Sequence, residues 1–188
     1  MKKVAPPKSN ILVQLYRKPK WISFFDKYYI APRGYSLVVV EQGETVRTLP
    51  RIGGKVNGSN ALYLMKISFD MTWGVSNLTC VLENNVTVNE FGFNGSVSFE
   101  VKSAENFFDK LNVVNIRKMR IDDFKDYWLK HWGDLLKRTF SSNSISYRQA
   151  PQLIDALKYT IDKEIFATYG VNVLQVSISD TNRVSQED

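Results

Sequence analysis

Apolar residues recur at every second position through much of the first hundred residues, and at three- to five-residue steps after that. The chain therefore reads as sheet first and helix second. Leu37–Val40 is a compact apolar run, Gln42-Gly43-Glu44 reads as a turn, and Thr45–Leu49 can return as its partner strand. Gly53-Gly54 and Asn57-Gly58 mark a loop. Tyr63, Met65, Ile67, Phe69, Met71 and Trp73 share one parity and predict a long half-buried strand, straight or bent, that Gly74 ends. Cys80, Leu82, Val86 and Val88 share a phase across Glu83-Asn84-Asn85, a turn or a bulge. Phe91, Phe93, Gly95, Val97, Phe99 and Val101 form a second alternating run, with Asn94, Ser96, Ser98 and Glu100 on the opposite face.

The period then changes. Ser103 is placed to cap a short helix over Ala104–Leu111, with Phe107, Phe108 and Leu111 inward. A second helix is expected over Arg120–Phe140, where Ile121, Phe124, Trp128, Trp132, Leu135 and Phe140 make an apolar stripe. Asp122-Asp123 open it and Lys137-Arg138 close it, each matching the helix dipole. Ser141–Ser144 breaks this helix. A third is expected from Ser146 or Pro151 to Tyr169, with Leu153, Leu157, Ile161, Ile165 and Tyr169 buried and Gln152, Asp155, Lys158, Asp162 and Lys163 wet. Gly170 stands where a left-handed C-cap residue is wanted, and Val171–Ile178 follows as a final strand.

Strands followed by helices and one closing strand indicate an α+β fold, with an antiparallel or mixed sheet, rather than a doubly wound one. The expected organisation is a basic N-terminal arm over 1–21, one domain over 22–180 (mainly β over 22–101, mainly α with the last strand over 102–180), and a polar tail over 181–188. Within the arm, Ile11–Leu15 can add a short edge strand. With 44% apolar and 13% aromatic residues the chain can fill a core of its own.

Charge changes the picture in one region. Residues 1–60 carry 11 Lys and Arg against 3 Asp and Glu, and the remainder 14 against 16. Arg17, Lys18, Lys20 and Trp21, followed by Phe24-Phe25, combine cations with aromatics and are candidates for contact with anionic lipid. The same interleaving could stack nucleic-acid bases, and Arg117, Lys118 and Arg120 form a second basic patch. No nucleic-acid-binding signature accompanies them and Asp122, Asp123 and Asp126 follow at once, so nucleic acid is disfavoured as a partner.

Catalytic chemistry finds few side chains. Cys80 and His131 are single of their kind, so neither an internal disulfide nor a Cys/His zinc site can form. Cys80 lies in a β pattern where a buried thiol is the default, and His131 sits between Lys130 and Trp132 on an amphipathic helix. Asp122 and Asp123 diverge by about 100° on a helix and do not readily serve one site. The chain is expected not to be an enzyme, to need no cofactor or metal, and to have no evident small-molecule substrate. No run approaches the ~20 apolar residues of a membrane helix, and no signal-peptide core follows Met1-Lys2-Lys3. A cytoplasmic location is expected, with peripheral contact at a membrane.

The second half resembles a known family. Phe91-Gly92-Phe93-Asn94-Gly95-Ser96-Val97-Ser98-Phe99-Glu100-Val101, then Ser103-Ala104-Glu105-Asn106-Phe107-Phe108, looks like the segment of the SPFH (band 7, stomatin/prohibitin-like) domain in which a strand meets "D-P/A-x-x-F". Tyr169-Gly170-Val171-Asn172-Val173-Leu174-Gln175-Val176-Ser177-Ile178 is similar to that family's closing "YGI-x-V-x-x-V-x-I". Val38–Glu44 resembles its early hairpin, and Trp73-Gly74 a "W-G" of a prokaryotic, virion-core-like branch. The resemblance spans about residues 30–180, with the motifs in the family's order. It implies a non-catalytic scaffolding domain of a membrane-associated protein, assembling with its own copies. Trp128, Trp132 and Phe140 are candidate self-association contacts under that reading. The alternative is a peripheral module that lays its basic N-terminal region on anionic lipid or nucleic acid.

Overall fold

The computed structural model of the chain describes residues 2–19, 26–41, 46–81, 86–142, 145–146 and 148–183, the last four of these and residues 88–90 and 142 by backbone alone. In chain order the strands are β1 (Lys2–Lys3), β2 (Ile11–Arg17), β3 (Lys27–Ile30), β4 (Tyr35–Val40), β5 (Val46–Thr48), β6 (Gly54–Val56), β7 (Ala61–Lys66), β8 (Ser68–Val81) and β9 (Thr87–Val101). Helix α1 (Ala104–Lys110), a 3-10 turn (Val113–Asn115) and strand β10 (Lys118–Arg120) follow, then helices α2 (Ile121–Ser142) and α3 (Ala150–Tyr169) and strand β11 (Val171–Arg183). The fold is α+β, with a final strand after the helices. Its contacts divide into two compact units, one of Met1–Phe69, Glu100–Phe124 and Ala167–Val171, the other of Asp70–Phe99, Lys125–Phe166 and Asn172–Asp188.

In the first unit a five-stranded sheet runs β10-β2-β7-β4-β5, beside a three-stranded sheet β1-β3-β6. Leu37 pairs with Leu64 and Val39 with Leu62 across the β4–β7 ladder. On that face these four side chains join Val4, Tyr29, Leu49 and Val56 in one buried cluster, so the smaller sheet closes over the larger. The opposite face carries Tyr63, whose ring meets Phe108 of α1 edge-on at 5.2 Å. Both faces of β4 and β7 are thus covered, which explains why Leu37–Val40 and Ala61–Met65 are continuous apolar runs rather than alternating ones. The two strands of the expected hairpin pair, with Val38, Val39 and Val40 opposite Thr48, Arg47 and Val46, while the turn expected at Gln42-Gly43-Glu44 lies outside the described residues.

Ile11–Leu15 departs from expectation. It is not an edge strand: β2 is flanked by β7 and by β10, a three-residue strand too short to leave a periodic signature. Much of the presumed basic arm is therefore core, with Ile11, Leu12 and Val13 buried.

Helix α1 begins at Ser103, whose hydroxyl accepts the Asn106 N–H at 3.2 Å. Gly170, at φ +68°, ends α3 as expected. The two caps meet: Lys102 and Ser103 both donate backbone N–H groups to the Gly170 carbonyl at 2.9 Å. An ideal Cβ on Gly170 would stand 2.6 Å from that of Ser103, so close approach and backbone conformation both require glycine there.

The second unit is built on a sheet of order β11-β9-β8. Strand β9 alternates as expected, with Phe91, Phe93, Val97, Phe99 and Val101 buried. Strand β8 does not stop at Gly74. Phe69, Met71 and Trp73 are buried on one parity, then Leu78 and Cys80 on the other. The change of phase coincides with Asn77, whose φ of +60° is a left-handed conformation that Asn tolerates better than most residues. Strand β11 also outruns its expected end at Ile178 and takes in Thr181–Arg183 of the presumed tail.

Helix α2 starts with Asp123 accepting the Arg120 N–H at 2.6 Å, the reach-back half of a capping box. It runs on to Ser142, so Lys137 and Arg138 do not lie in its last turn. Its buried stripe is Phe124, Trp128, Trp132, Leu136 and Phe140, with Leu136 rather than Leu135 fully covered. On α3, Ile154, Ile161, Ile165 and Tyr169 are buried and Leu153 and Leu157 are half-buried. Among the described residues no helix is long and apolar enough to cross a membrane.

Candidate anion-binding cleft

Strand β2 ends at Arg17, Lys18 follows it, and the structure separates the roles of these two cations. Arg17 is taken up internally: Nη2 donates to the carbonyls of Asn57 at 2.5 Å and Asn60 at 3.0 Å. Its guanidinium also lies 5.5 Å from the centre of the Tyr29 ring. It therefore anchors the Asn57–Asn60 turn and is not offered to a ligand. Lys18 is exposed. Lys20 and Trp21, the other two residues expected to meet lipid, lie outside the described residues, as do Phe24 and Phe25.

Lys18 stands at a cleft of about 520 Å³ in the first unit. Leu15 enters it from β2 and Lys18 from just after it, Val40 from the end of β4 and Glu41 from just after it, Ala61 and Tyr63 from β7, and Val114, Ile116 and Arg117 from the segment that leads into β10. The pairing that makes β2 an interior strand also makes this cleft. Leu15 N–H donates to the Arg117 carbonyl at 2.8 Å, which brings Lys18 and Arg117 to one opening although 99 positions separate them. Tyr63 donates its hydroxyl to the Val114 carbonyl at 2.7 Å, and burial pushes its phenol above the ordinary value.

Among the described residues that line it the cleft has one carboxylate, and it is already engaged. Glu41 Oε1 accepts from Nε of Arg47 at 3.1 Å and from Nη2 at 3.0 Å. Lys18 and Arg117 form no ion pair among the described residues. The opening is therefore positive above an apolar floor. In the sequence Arg117 stands only as part of a local patch with Lys118 and Arg120.

The three aromatics expected to mediate self-association do not face a partner. Trp128, Trp132 and Phe140 are at most 1% exposed. Phe99 meets Trp128 at 5.0 Å, Trp128 stacks on Trp132 at 5.4 Å, Trp132 meets Trp73 edge-on at 5.5 Å, and Phe140 lies 5.7 Å from Phe93. They are the core of the second unit, because the stripe on α2 is the face that covers its sheet.

What α3 and β11 leave exposed could not be foreseen from a stripe. Asp162, expected to be wet, accepts the Val173 N–H at 2.6 Å and so ties β11 to the helix. Tyr159 and Phe166, three residues before and four after it, share its helix face. Both are exposed, at 67% and 45%, and Leu174, next to Val173, is 47% exposed.

The side chains weighed for catalysis each have their own surroundings. Cys80 is buried, and desolvation pushes its thiol up to about 11, which keeps it protonated and unreactive near neutral pH. His131 Nδ1 lies 2.5 Å from Glu164 Oε1, across α2 and α3. Asp123 is occupied by its cap and Asp122 is exposed. Among the described residues no three His, Cys, Asp or Glu side chains come together as a metal-binding group.

No family model and no curated protein sequence matches this chain.

Proposed function

We propose that this chain is a non-catalytic scaffolding domain of SPFH-like type that associates with further copies of itself, as part of a membrane-associated protein. The observation that carries the reading is the exposure of three large side chains of the second unit, Tyr159, Phe166 and Leu174, at 67%, 45% and 47%. The order of elements is consistent with it: sheet, capped short helix, two amphipathic helices, then a glycine-capped final strand. The burial of the Cys80 thiol and the contact of His131 with Glu164 favour a role without chemistry.

Tyr159, Phe166 and Leu174 take the place of the buried Trp128, Trp132 and Phe140 as candidate self-contacts. A peripheral module spread electrostatically over anionic lipid or nucleic acid is the weaker reading, since Arg17 is already committed to its own turn.

Light scattering after size exclusion, over a concentration series, tests the proposal. The unaltered chain should grow in mean mass with concentration. A Phe166→Ser, Leu174→Ser double variant should stay monomeric with an unchanged unfolding midpoint. A chain that is monomeric throughout, or a double variant that assembles as well as its parent, would overturn it.

A further inference from the structure

The cleft between the end of β2 and the approach to β10 has features that self-assembly does not use. Its floor is aliphatic, from Leu15, Val40, Val114 and Ile116. Its opening holds Lys18 and Arg117, and the one carboxylate among its described lining residues, Glu41, is paired with Arg47 at 3.0 Å. Two kinds of ligand are poor matches. A bare inorganic anion would leave the floor in contact with water, and a neutral apolar molecule would leave both cations without a counter-charge.

From this we propose that the cleft binds a small amphiphilic anion, its apolar body on the floor and its carboxylate or phosphate between Lys18 and Arg117. A volume of about 520 Å³ is in the range of small-molecule sites, which pair a mainly apolar lining with a few placed polar groups. Arg117 brings a planar fork suited to a two-oxygen anion, and Lys18 a mobile point charge that can settle on either oxygen. The ligand is a free small molecule and not the face of a bilayer, because the apolar lining and the two cations belong to one cavity of bounded volume. This goes beyond the assembly reading and concerns the other unit, so the two can fail separately.

The test is calorimetric titration of the full chain with decanoate below its micelle concentration, alongside butyrate, inorganic phosphate and anionic phosphatidylglycerol vesicles. Decanoate should bind one to one. Butyrate should bind at least tenfold more weakly, because it covers less of the floor. Phosphate should give no measurable heat. Lys18→Gln and Arg117→Gln should each weaken decanoate about five- to tenfold and together abolish binding, while Lys130→Gln on α2 leaves it unchanged. Both altered side chains are exposed, and thermal melts should show each variant folded as its parent. As a second handle, Ala61→Phe should fill the floor and reduce decanoate affinity while leaving any purely electrostatic attraction to vesicles intact. Equal binding of decanoate by the Lys18→Gln, Arg117→Gln pair would overturn the proposal. So would vesicle binding without decanoate binding, which would make the opening a membrane-surface patch.

Discussion

Gly95 and Gly74 both sit in long strands of the same sheet, and nothing in their local sequence ranks one above the other. An ideal Cβ at Gly95 would lie 1.8 Å from the Ser177 carbonyl oxygen, 2.9 Å from its carbon and 3.0 Å from Cζ2 of Trp73. Non-bonded heavy atoms settle at about 3.5 Å, so β11 would have to retreat by about 1.7 Å. The obstacle is backbone and cannot rotate away. That retreat would also break the contact of the Ser96 and Ser177 hydroxyls, now at 2.7 Å. Overpacking typically costs about 1–3 kcal/mol, and a backbone obstacle places Gly95→Ala at or above the top of that range, about 3 kcal/mol. At Gly74 the nearest atoms to an added Cβ are Asn94 Cβ at 3.8 Å and the Phe93 carbonyl at 4.0 Å, both ordinary contacts. Gly74→Ala should fall within about 0.5 kcal/mol of the parent, or stabilise slightly by restricting the unfolded chain. Urea unfolding followed by tryptophan fluorescence reads the second unit, where Trp73, Trp128 and Trp132 are buried. With a slope of about 2 kcal/mol per molar, Gly95→Ala should lower the midpoint by about 1.5 M. An unchanged midpoint for Gly95→Ala, or equal damage from Gly74→Ala, would refute the reasoning.

Three further outcomes are expected. Trp132→Ala should cost about 3–5 kcal/mol as a core truncation, so a variant of full stability that had lost only its self-association would contradict the placement of this ring. Asp162→Asn should weaken the tie to β11, and amide exchange at Val173 should quicken about tenfold with little change elsewhere; uniform exchange would show that the contact is not local support. Cys80 should resist iodoacetamide at pH 8 until the chain is unfolded. Because burial raises its folded value to about 11 from an ordinary 9.0, its contribution to stability is present in full below pH 9 and is lost as the pH rises through about 11. Cys80→Ala should flatten that part of the stability profile, and rapid native labelling would disprove the burial.

The sequence by itself determined the elements whose signals are local. Alternation over Phe91–Val101 gave β9, and the stripe Phe124-Trp128-Trp132-Phe140 gave α2 and its buried face. Ser103 and Gly170 marked their caps because a hydroxyl acceptor and a left-handed φ are requirements of single positions. Only the tertiary structure decided what pairing across the chain decides. It made Ile11–Arg17 an interior strand, through the short β10, and so brought Lys18 to Arg117. It turned Arg17 from a free cation into a turn anchor and the α2 aromatics from candidate contacts into core. It let β8 pass through Gly74 and change face at Asn77, where parity, a purely local rule, assumes an unbroken pleat. It also distinguished Gly95 from Gly74, because the atom that forbids a side chain at Gly95 belongs to Ser177, 82 positions away in the chain.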